Sequence, residues 1–161
     1  MDKFIGRFHE LALLKEIMDK PSASVMVYGK RKVGKTTLIM KALKDSGEKT
    51  VYYECLKAPM ADNIAGFVSE LVRQQIIPVK LNFDSFVDIF AYLDSLGTTV
   101  NVVLDEYPYL KEFAEPATVD SQFQKIIDNS LGHIRLFLSG SHIGMMKDML
   151  KERTLFTAAS L

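Results

Sequence analysis

A glycine- and lysine-rich segment near residue 30 has the residue types and the spacing of a phosphate-binding loop. The segment that matches the pattern G-x-x-x-x-G-K-[ST] at every fixed position reads Gly29-Lys30-Arg31-Lys32-Val33-Gly34-Lys35-Thr36. In such a loop, glycines let backbone N–H groups surround an anion, and the lysine reaches the β- and γ-phosphates. The hydroxyl that follows the lysine binds Mg²⁺. We therefore expect Lys35 to contact phosphate and Thr36 to bind Mg²⁺.

The positions around these fixed residues are less constrained by the pattern. Val33 and Thr37 complete the candidate nucleotide-binding segment. The side chains of Lys30, Arg31 and Lys32 are not fixed by the motif, so phosphate contact and a solvated face both stay open. A chance match in a basic surface loop is the alternative for the whole motif. The apolar strand before the loop and the helix after it favour the phosphate-binding interpretation.

An acidic pair follows the third predicted strand. Asp105 and Glu106 come directly after the apolar run that ends at Leu104. They should lie at the carboxyl edge of a parallel sheet, where such sheets bind ligands. We expect Asp105 to hold Mg²⁺, through a water, and Glu106 to orient or deprotonate an attacking water. The alternative is a solvated acidic turn without chemistry.

The fourth predicted strand ends in the polar segment Ser139-Gly140-Ser141-His142. A hydroxyl here could contact the γ-phosphate or the attacking water, or Ser139 or Ser141 could cap the following helix. We favour the first interpretation for Ser139. Glu106, Lys35 and Ser139 are therefore the candidate catalytic residues.

Alternating helical and strand patterns must position these residues. The predicted helices are Glu10–Met18, Lys35–Asp45, Ala61–Ile77, a helix capped by Asn82 or Asp84 and ending at Leu96, Val119–Leu131 and Ile143–Lys151. The predicted strands are Val25–Tyr28, Thr50–Tyr53, Val100–Leu104 and Ile134–Leu138, with a fifth beginning within Thr154–Leu161. This alternation predicts a three-layer α/β fold with a parallel sheet. Asn101 and Arg135 interrupt the otherwise apolar strands.

Length and composition are those of one globular domain. The chain has 161 residues, of which 48% are hydrophobic, and its 20 basic and 20 acidic residues cancel, so a nucleic-acid role has no support from charge. A single cysteine, Cys55, excludes an internal disulfide. With only three histidines, no zinc-binding pattern is present. Neither a membrane-spanning run nor a signal peptide is evident, so we expect a cytosolic protein.

Four segments together resemble the archaeal-type ATPase family, a member of the AAA+-related STAND class of P-loop NTPases. They are Phe4-Ile5-Gly6-Arg7 with Glu10-Leu11, YGKRKVGKT at 28–36, VVLDEYPYL at 102–110 and LFLSGSHIGMMKDML at 136–150. The resemblance implies ATP as the nucleotide and a sheet ordered 5-1-4-3-2. It implies Lys35 and Thr36 as Walker A residues, and Asp105 and Glu106 as Walker B residues. It also places Phe4, Ile5, Gly6 and Arg7 near the adenine and makes Ser139 the polar sensor.

The sequence departs from the family pattern after the last predicted helix. Family members usually carry an arginine-rich segment, a helical lid and a C-terminal domain there, whereas this chain offers only Arg153. We therefore expect residues 1–161 to be the nucleotide-binding domain of a longer protein, and whether the fifth strand is complete stays open. Self-association or a protein partner would be reached through the missing region.

Three functions fit these residues. The first is a Mg²⁺-dependent ATPase that acts as a molecular switch in a larger protein. The second is a nucleotide-binding regulatory module with little or no hydrolysis. A phosphotransferase ranks last, because the sequence offers no acceptor pocket and no closing lid.

Overall fold

The computed structural model describes residues 8–28, 35–140 and 157–160. The helices are α1 (Phe8–Met18), α2 (Lys35–Asp45), α3 (Met60–Arg73), α4 (Phe86–Ser95) and α5 (Pro116–Asn129), with a 3₁₀ helix at Tyr107–Lys111. The strands are β1 (Ala23–Tyr28), β2 (Lys49–Glu54), β3 (Val100–Asp105), β4 (Ile134–Gly140) and β5 (Thr157–Ser160). Across these ranges, no helix is both long and apolar enough to cross a membrane.

The five strands form one sheet in the order β2-β3-β4-β1-β5, and each neighbouring pair is parallel. Read from the other edge, this is the order 5-1-4-3-2, so the expected topology is confirmed. The predicted fifth strand is present, and Thr157 pairs with Val25 of β1. Because all strands run the same way, their carboxyl ends meet at one edge of the sheet.

Helices cover both faces of the sheet, as parallel strands require. On one face α3, α4 and α5 pack an aromatic cluster onto the sheet, in which the Phe67 ring contacts those of Phe86 and Phe90. On the other face α1 and α2 pack against side chains that include Val103 and Phe137. Every residue of β3 and β4 is buried. The three-layer α/β prediction is therefore confirmed.

Helix boundaries differ from the predicted ones where a capping residue or a proline sets the first turn. Ser85, not Asn82 or Asp84, caps α4, since its Oγ accepts a hydrogen bond from the Asp88 N–H at 3.1 Å. Helix α5 begins at Pro116, three residues earlier than predicted, because proline is well suited to the first helical position. The predicted helix Ile143–Lys151 lies outside the described residues.

The predicted end of α3 at Ile77 is also wrong. The helix ends at Arg73, and Gln75 adopts a left-handed backbone with φ 63°. Ile76 and Ile77 are buried in the core, although they are not helical. Their apolar character reflects tertiary packing, which a periodicity argument cannot separate from a helical face.

Candidate functional site

The predicted phosphate loop joins β1 to α2. Strand β1 ends at Tyr28 and α2 begins at Lys35, so the strand and the helix that the motif requires are both present. Lys35 and Thr36 are the first two residues of α2, and Thr37 follows with an exposed side chain. The candidate residues that lie outside the described residues are Phe4, Ile5, Gly6, Arg7, Gly29, Lys30, Arg31, Lys32, Val33 and Gly34.

The acidic pair lies at the carboxyl end of β3. Asp105 is the last residue of the strand, and both its side chain and that of Glu106 are buried, at 8% and 7% exposure. The alternative of a solvated acidic turn is therefore wrong. Glu106 has a left-handed backbone, with φ 53° and ψ 43°. This conformation costs a non-glycine residue about 1–2 kcal/mol, and such strain is concentrated at functional sites.

Hydrogen bonds fix the backbone around this acidic pair. The Glu106 N–H donates to Asp105 Oδ1 at 2.9 Å, and the Cys55 N–H donates to the Asp105 carbonyl at 2.8 Å. The Tyr109 N–H donates to the Glu106 carbonyl at 2.9 Å and so begins the 3₁₀ helix. The backbone of the acidic pair is thus held by the residue that follows β2 on one side and by a helical turn on the other.

Ser139 lies on β4, which is the strand between β1 and the acidic pair's strand, β3. It pairs with Val27 of β1, and the preceding residue, Leu138, pairs with Leu104 of β3. Ser139 and Asp105 are therefore neighbours on adjacent strands. Ser139 is fully buried, and its Oγ has no hydrogen-bond partner in the described part of the chain. Leaving a buried hydroxyl without a hydrogen-bond partner costs about 1–3 kcal/mol. This cost indicates that a group outside the described residues forms a hydrogen bond with it.

Tyr52 is a site residue that sequence reasoning missed. Its hydroxyl, on the edge strand β2, donates to Asp105 Oδ2 at 2.6 Å. Burial first, and then this hydrogen bond and the charges of Asp105, Glu54 and Glu106, raise the pKa of Tyr52 far above its usual range. The hydroxyl therefore stays protonated and remains a donor. A strand was predicted at Thr50–Tyr53, but nothing in the sequence sets its register against β3.

An ion pair between a buried lysine and a partly buried aspartate supports the segment after Glu106. Lys111 Nζ lies 2.7 and 2.9 Å from the two carboxylate oxygens of Asp120 on α5. The Tyr107 hydroxyl donates to Asp120 Oδ1 at 3.1 Å, and Lys111 Nζ lies 5.3 Å from the centre of the Tyr107 ring. The 3₁₀ helix that follows the acidic pair is thereby fixed to α5.

Cys55 lies beside the acidic pair but is a poor nucleophile. The thiol is buried, and burial first, with the nearby charges of Asp105, Glu106 and Glu54, raises its pKa well above the usual range. Because the thiolate is the reactive form, thiol chemistry is disfavoured at this site.

The donor set fits a magnesium ion that is shared with phosphate groups. Within the described ranges, no group of three or more His, Cys, Asp or Glu side chains could hold a metal ion by itself. Asp105 and the residue that follows it, Glu106, nevertheless supply two buried carboxylates at the carboxyl end of β3. Mg²⁺ is commonly held by one or two carboxylates together with substrate phosphates and waters. The residues present therefore fit Mg²⁺ bound with a nucleotide, rather than a closed structural metal centre.

The fold and the motifs define a class of protein. A 5-1-4-3-2 parallel sheet, a G-x-x-x-x-G-K-[ST] segment between β1 and α2 and an acidic pair after β3 are the features of P-loop ATPases. The sequence matches the family described as "ATPase domain predominantly from Archaea" over residues 4–158. The chain belongs to this family.

Similar proteins include one curated relative and several solved structures. The uncharacterized protein MJECL04 of Methanocaldococcus jannaschii is 29% identical over 146 residues, which are 89% of this chain and 30% of that protein. The Walker-type ATPase PABY2304 of Pyrococcus abyssi has a TM-score of 0.67 at 22% identity, covering 96% of this chain and 52% of that one. The Aeropyrum pernix ORC2 protein, solved as ADPNP-ADP complexes, has a TM-score of 0.69 at 20% identity, covering 96% of this chain and 47% of that one.

These likenesses differ in what they establish. At this level of identity, the two solved structures show a shared fold. The chain spans under a third of the curated relative and about half of each solved chain. The ATPase fold and the family are therefore established for residues 4–158.

Proposed function

We propose that this chain is a Mg²⁺-dependent domain that binds and hydrolyses ATP and acts as a molecular switch in a larger protein. The observation that carries the proposal is the buried Ser139 hydroxyl, which has no partner among the described residues. It lies between the end of the strand that leads into the phosphate loop and the Asp105 carboxylate. A γ-phosphate or the water that attacks it, bound at this edge, would form the hydrogen bond that this hydroxyl lacks.

Each site residue has a role in this proposal. The backbone of Gly29–Gly34 and the Lys35 ammonium bind the phosphates, and Lys30, Arg31 and Lys32 add positive charge around them. Thr36 and Asp105 would hold Mg²⁺, which supplies charge neutralisation on the β- and γ-phosphate oxygens when it is bound. Phe4, Ile5, Gly6 and Arg7 border the adenine; this part of the proposal rests on the family resemblance. The switch role rests on the greater length of the relatives.

Glu106 is the proposed general base. Its carboxylate accepts a proton from water as the water oxygen bonds to the γ-phosphorus, and the bond from that phosphorus to the ADP oxygen breaks. The left-handed backbone at Glu106 turns the chain sharply after the strand. Ser139 donates a hydrogen bond to the γ-phosphate or to the water. Lys35 stabilises the negative charge that develops on the phosphate oxygens.

A nucleotide-binding regulatory module would use the same residues except for the base. Glu106 therefore distinguishes hydrolysis from binding alone. The matched control is Glu54, an exposed carboxylate that pairs in register with Asp105 on the neighbouring strand. Both positions allow a Glu→Gln change that removes one negative charge with little change in shape.

The first measurement is thermal unfolding with and without millimolar Mg·ATP, for the natural chain and for Lys35→Ala. A ligand at 100 times its Kd adds about 2.7 kcal/mol, which corresponds to several degrees in Tm for this size. We expect Lys35→Ala to abolish the shift. The absence of a shift in the natural chain would contradict nucleotide binding.

The second measurement is ATP turnover. We expect Glu106→Gln to keep the Mg·ATP shift while turnover falls by a factor on the order of 10²–10⁴, the usual contribution of a general base. Glu54→Gln should keep both. A Mg·ATP shift without turnover in the natural chain would establish the regulatory module instead. Turnover that is insensitive to Glu106→Gln would remove Glu106 from the base role.

A further inference from the structure

Asp105 is fixed by two hydrogen bonds from opposite sides. Its Oδ1 accepts from the Glu106 N–H at 2.9 Å, and its Oδ2 accepts from the Tyr52 hydroxyl at 2.6 Å. The first donor is the backbone N–H of the next residue. The second comes from β2, a different strand, and the proposed mechanism assigns it no role.

The sheet explains how Tyr52 reaches this carboxylate. Tyr52 pairs with Val103, and Asp105 lies two residues further along β3 on the same face. The Tyr52 ring packs on the cluster that contains Val103 and Phe137. A ring on a paired strand, held by core packing, sets the position of its hydroxyl more rigidly than a loop residue could.

From this geometry, and on the basis of the proposed function, we propose that Tyr52 is a positioning residue for magnesium binding. Its hydroxyl holds the Asp105 carboxylate in the orientation that the metal and its waters require. A carboxylate with a fixed donor on each oxygen cannot rotate without breaking one of these hydrogen bonds. Partners that orient a metal ligand in this way typically contribute 10–100-fold to metal affinity or activity.

The chain offers a matched control at the next residue. Tyr53 lies on the same strand with its side chain on the opposite face, where its hydroxyl donates to Asn63 Oδ1 at 2.8 Å. Tyr52→Phe and Tyr53→Phe remove the same atom, and each breaks a hydrogen bond from a tyrosine of β2. Only the first change reaches Asp105.

The experiment measures nucleotide and metal binding separately, using a methylanthraniloyl fluorescent analogue of ATP as the probe. The analogue is titrated first in EDTA, and Mg²⁺ is then titrated into a separate, EDTA-free sample of the analogue with the full 161-residue chain. We expect Tyr52→Phe to raise the half-saturating Mg²⁺ concentration about tenfold, with unchanged affinity in EDTA. Tyr53→Phe should leave both values unchanged, although it lowers stability.

A merely structural role for Tyr52 would give a different result. Loss of stability alone would leave the Mg²⁺ midpoint of the folded fraction at its natural value, and that outcome would overturn the proposal. An equal rise in Tyr53→Phe would overturn it as well. If the natural chain does not bind the analogue at all, the proposed function fails, and the role of Tyr52 fails with it.

A double variant tests the route through Asp105. If Tyr52 acts on magnesium through that carboxylate, Tyr52→Phe should have no further effect on the Mg²⁺ midpoint in an Asp105→Asn background. Additive effects of the two changes would assign Tyr52 a role that is independent of Asp105 and would contradict the proposal. Urea unfolding of each variant establishes that the folded protein is being titrated.

Discussion

On one face of the sheet, β3 and β4 carry two pairs of polar residues, one at the amino end of the strands and one at the carboxyl end. The two pairs differ in how many of their polar atoms have hydrogen-bond partners. At the amino end Asn101 pairs with Arg135, and at the carboxyl end Asp105 neighbours Ser139. The apolar residues Val103 and Phe137 separate the two pairs. Both pairs therefore lie on the same two strands and the same face, and both are buried. They differ in their hydrogen bonds.

The amino-end pair is satisfied by the chain itself. Arg135 donates from Nε to the Lys20 carbonyl at 2.7 Å and from Nη2 to the Met18 carbonyl at 2.8 Å. Its Nη1 donates to Asn101 Oδ1 at 3.1 Å and to a carboxylate oxygen of Glu48. The guanidinium thereby joins the end of α1, the residue before β2, and β3 to β4. This polar cluster is architectural.

The carboxyl-end pair is incomplete by comparison. The Ser139 hydroxyl has no partner among the described residues, and Glu106, the residue after Asp105, has a strained backbone. Buried polar groups are normally hydrogen-bonded, so an exception needs a physical reason. On the proposed function, the nucleotide supplies the partner that this hydroxyl lacks at the carboxyl end, whereas the described residues already satisfy the amino-end pair.

The largest expected change in stability comes from removing the guanidinium of Arg135 at the amino end. Arg135→Met should lower the free energy of unfolding by about 3–5 kcal/mol, because Asn101 Oδ1 and the carbonyls of Met18 and Lys20 lose their hydrogen-bond donor. Urea unfolding of the natural chain and the variant measures this difference. The Mg·ATP stabilisation of the fraction that remains folded should be unchanged.

The control for this change is an exposed arginine. Arg73 forms an ion pair with Glu70 on the surface of α3, with its side chain 68% exposed. Arg73→Met should have little effect, since exposed ion pairs contribute little. Equal losses in the two variants would show that the amino-end cluster has no special structural role, and the comparison of the two ends would fail.

A second prediction concerns a satisfied polar group close to the carboxyl edge. Asn63 on α3 is fully buried, and its Oδ1 accepts from Tyr53 Oη and from the Leu56 N–H, both at 2.8 Å. Its Nδ2 donates to the carbonyls of Leu56 and Ala58. Asn63→Ala should lower the free energy of unfolding by about 2–3 kcal/mol, because several buried groups lose their partner.

Urea unfolding also measures this effect, and Asn129→Ala is its control. Asn129 makes one exposed hydrogen bond, to the Lys125 carbonyl at the end of α5, so its removal should change stability little. A small effect of Asn63→Ala would mean that the loop after β2 is held by other contacts. The comparison between buried groups with hydrogen-bond partners, such as Asn63, and the Ser139 hydroxyl would then be weaker.

The sequence predicted most of the fold, because the signals involved are local. Apolar runs of strand length alternate with helical periodicity, and glycine, proline and a matching loop motif mark the boundaries. Asn101 and Arg135 are visible in the sequence as interruptions of apolar strands. Their mutual pairing depends on the register of β3 against β4, which no local signal encodes.

The candidate site was predictable in part for the same reason. Asp105, Glu106 and Ser139 follow from their positions at strand ends, and the sheet brings Asp105 and Ser139 to neighbouring strands. The contribution of Tyr52 and the left-handed backbone of Glu106 were not predictable. Both depend on tertiary geometry, one through strand register and the other through a turn that overrides the preference of glutamate.

The smallest expected effect concerns the hydroxyl that lacks a partner. Ser139→Ala removes a buried polar group that makes no hydrogen bond within the described residues, so stability without nucleotide should be unchanged or rise by up to about 1 kcal/mol. Ser85→Ala removes the same atom from a helix cap, where it accepts from the Asp88 N–H, and should lose about 1 kcal/mol. The two variants should therefore change the free energy of unfolding in opposite directions, and urea unfolding without nucleotide distinguishes them.

With Mg·ATP present, Ser139→Ala should lose part of the ligand-induced stabilisation, whereas Ser85→Ala should keep all of it. If Ser139→Ala instead destabilises the nucleotide-free chain as the cap variant does, the hydroxyl is already satisfied, and the carboxyl end is as complete as the amino end.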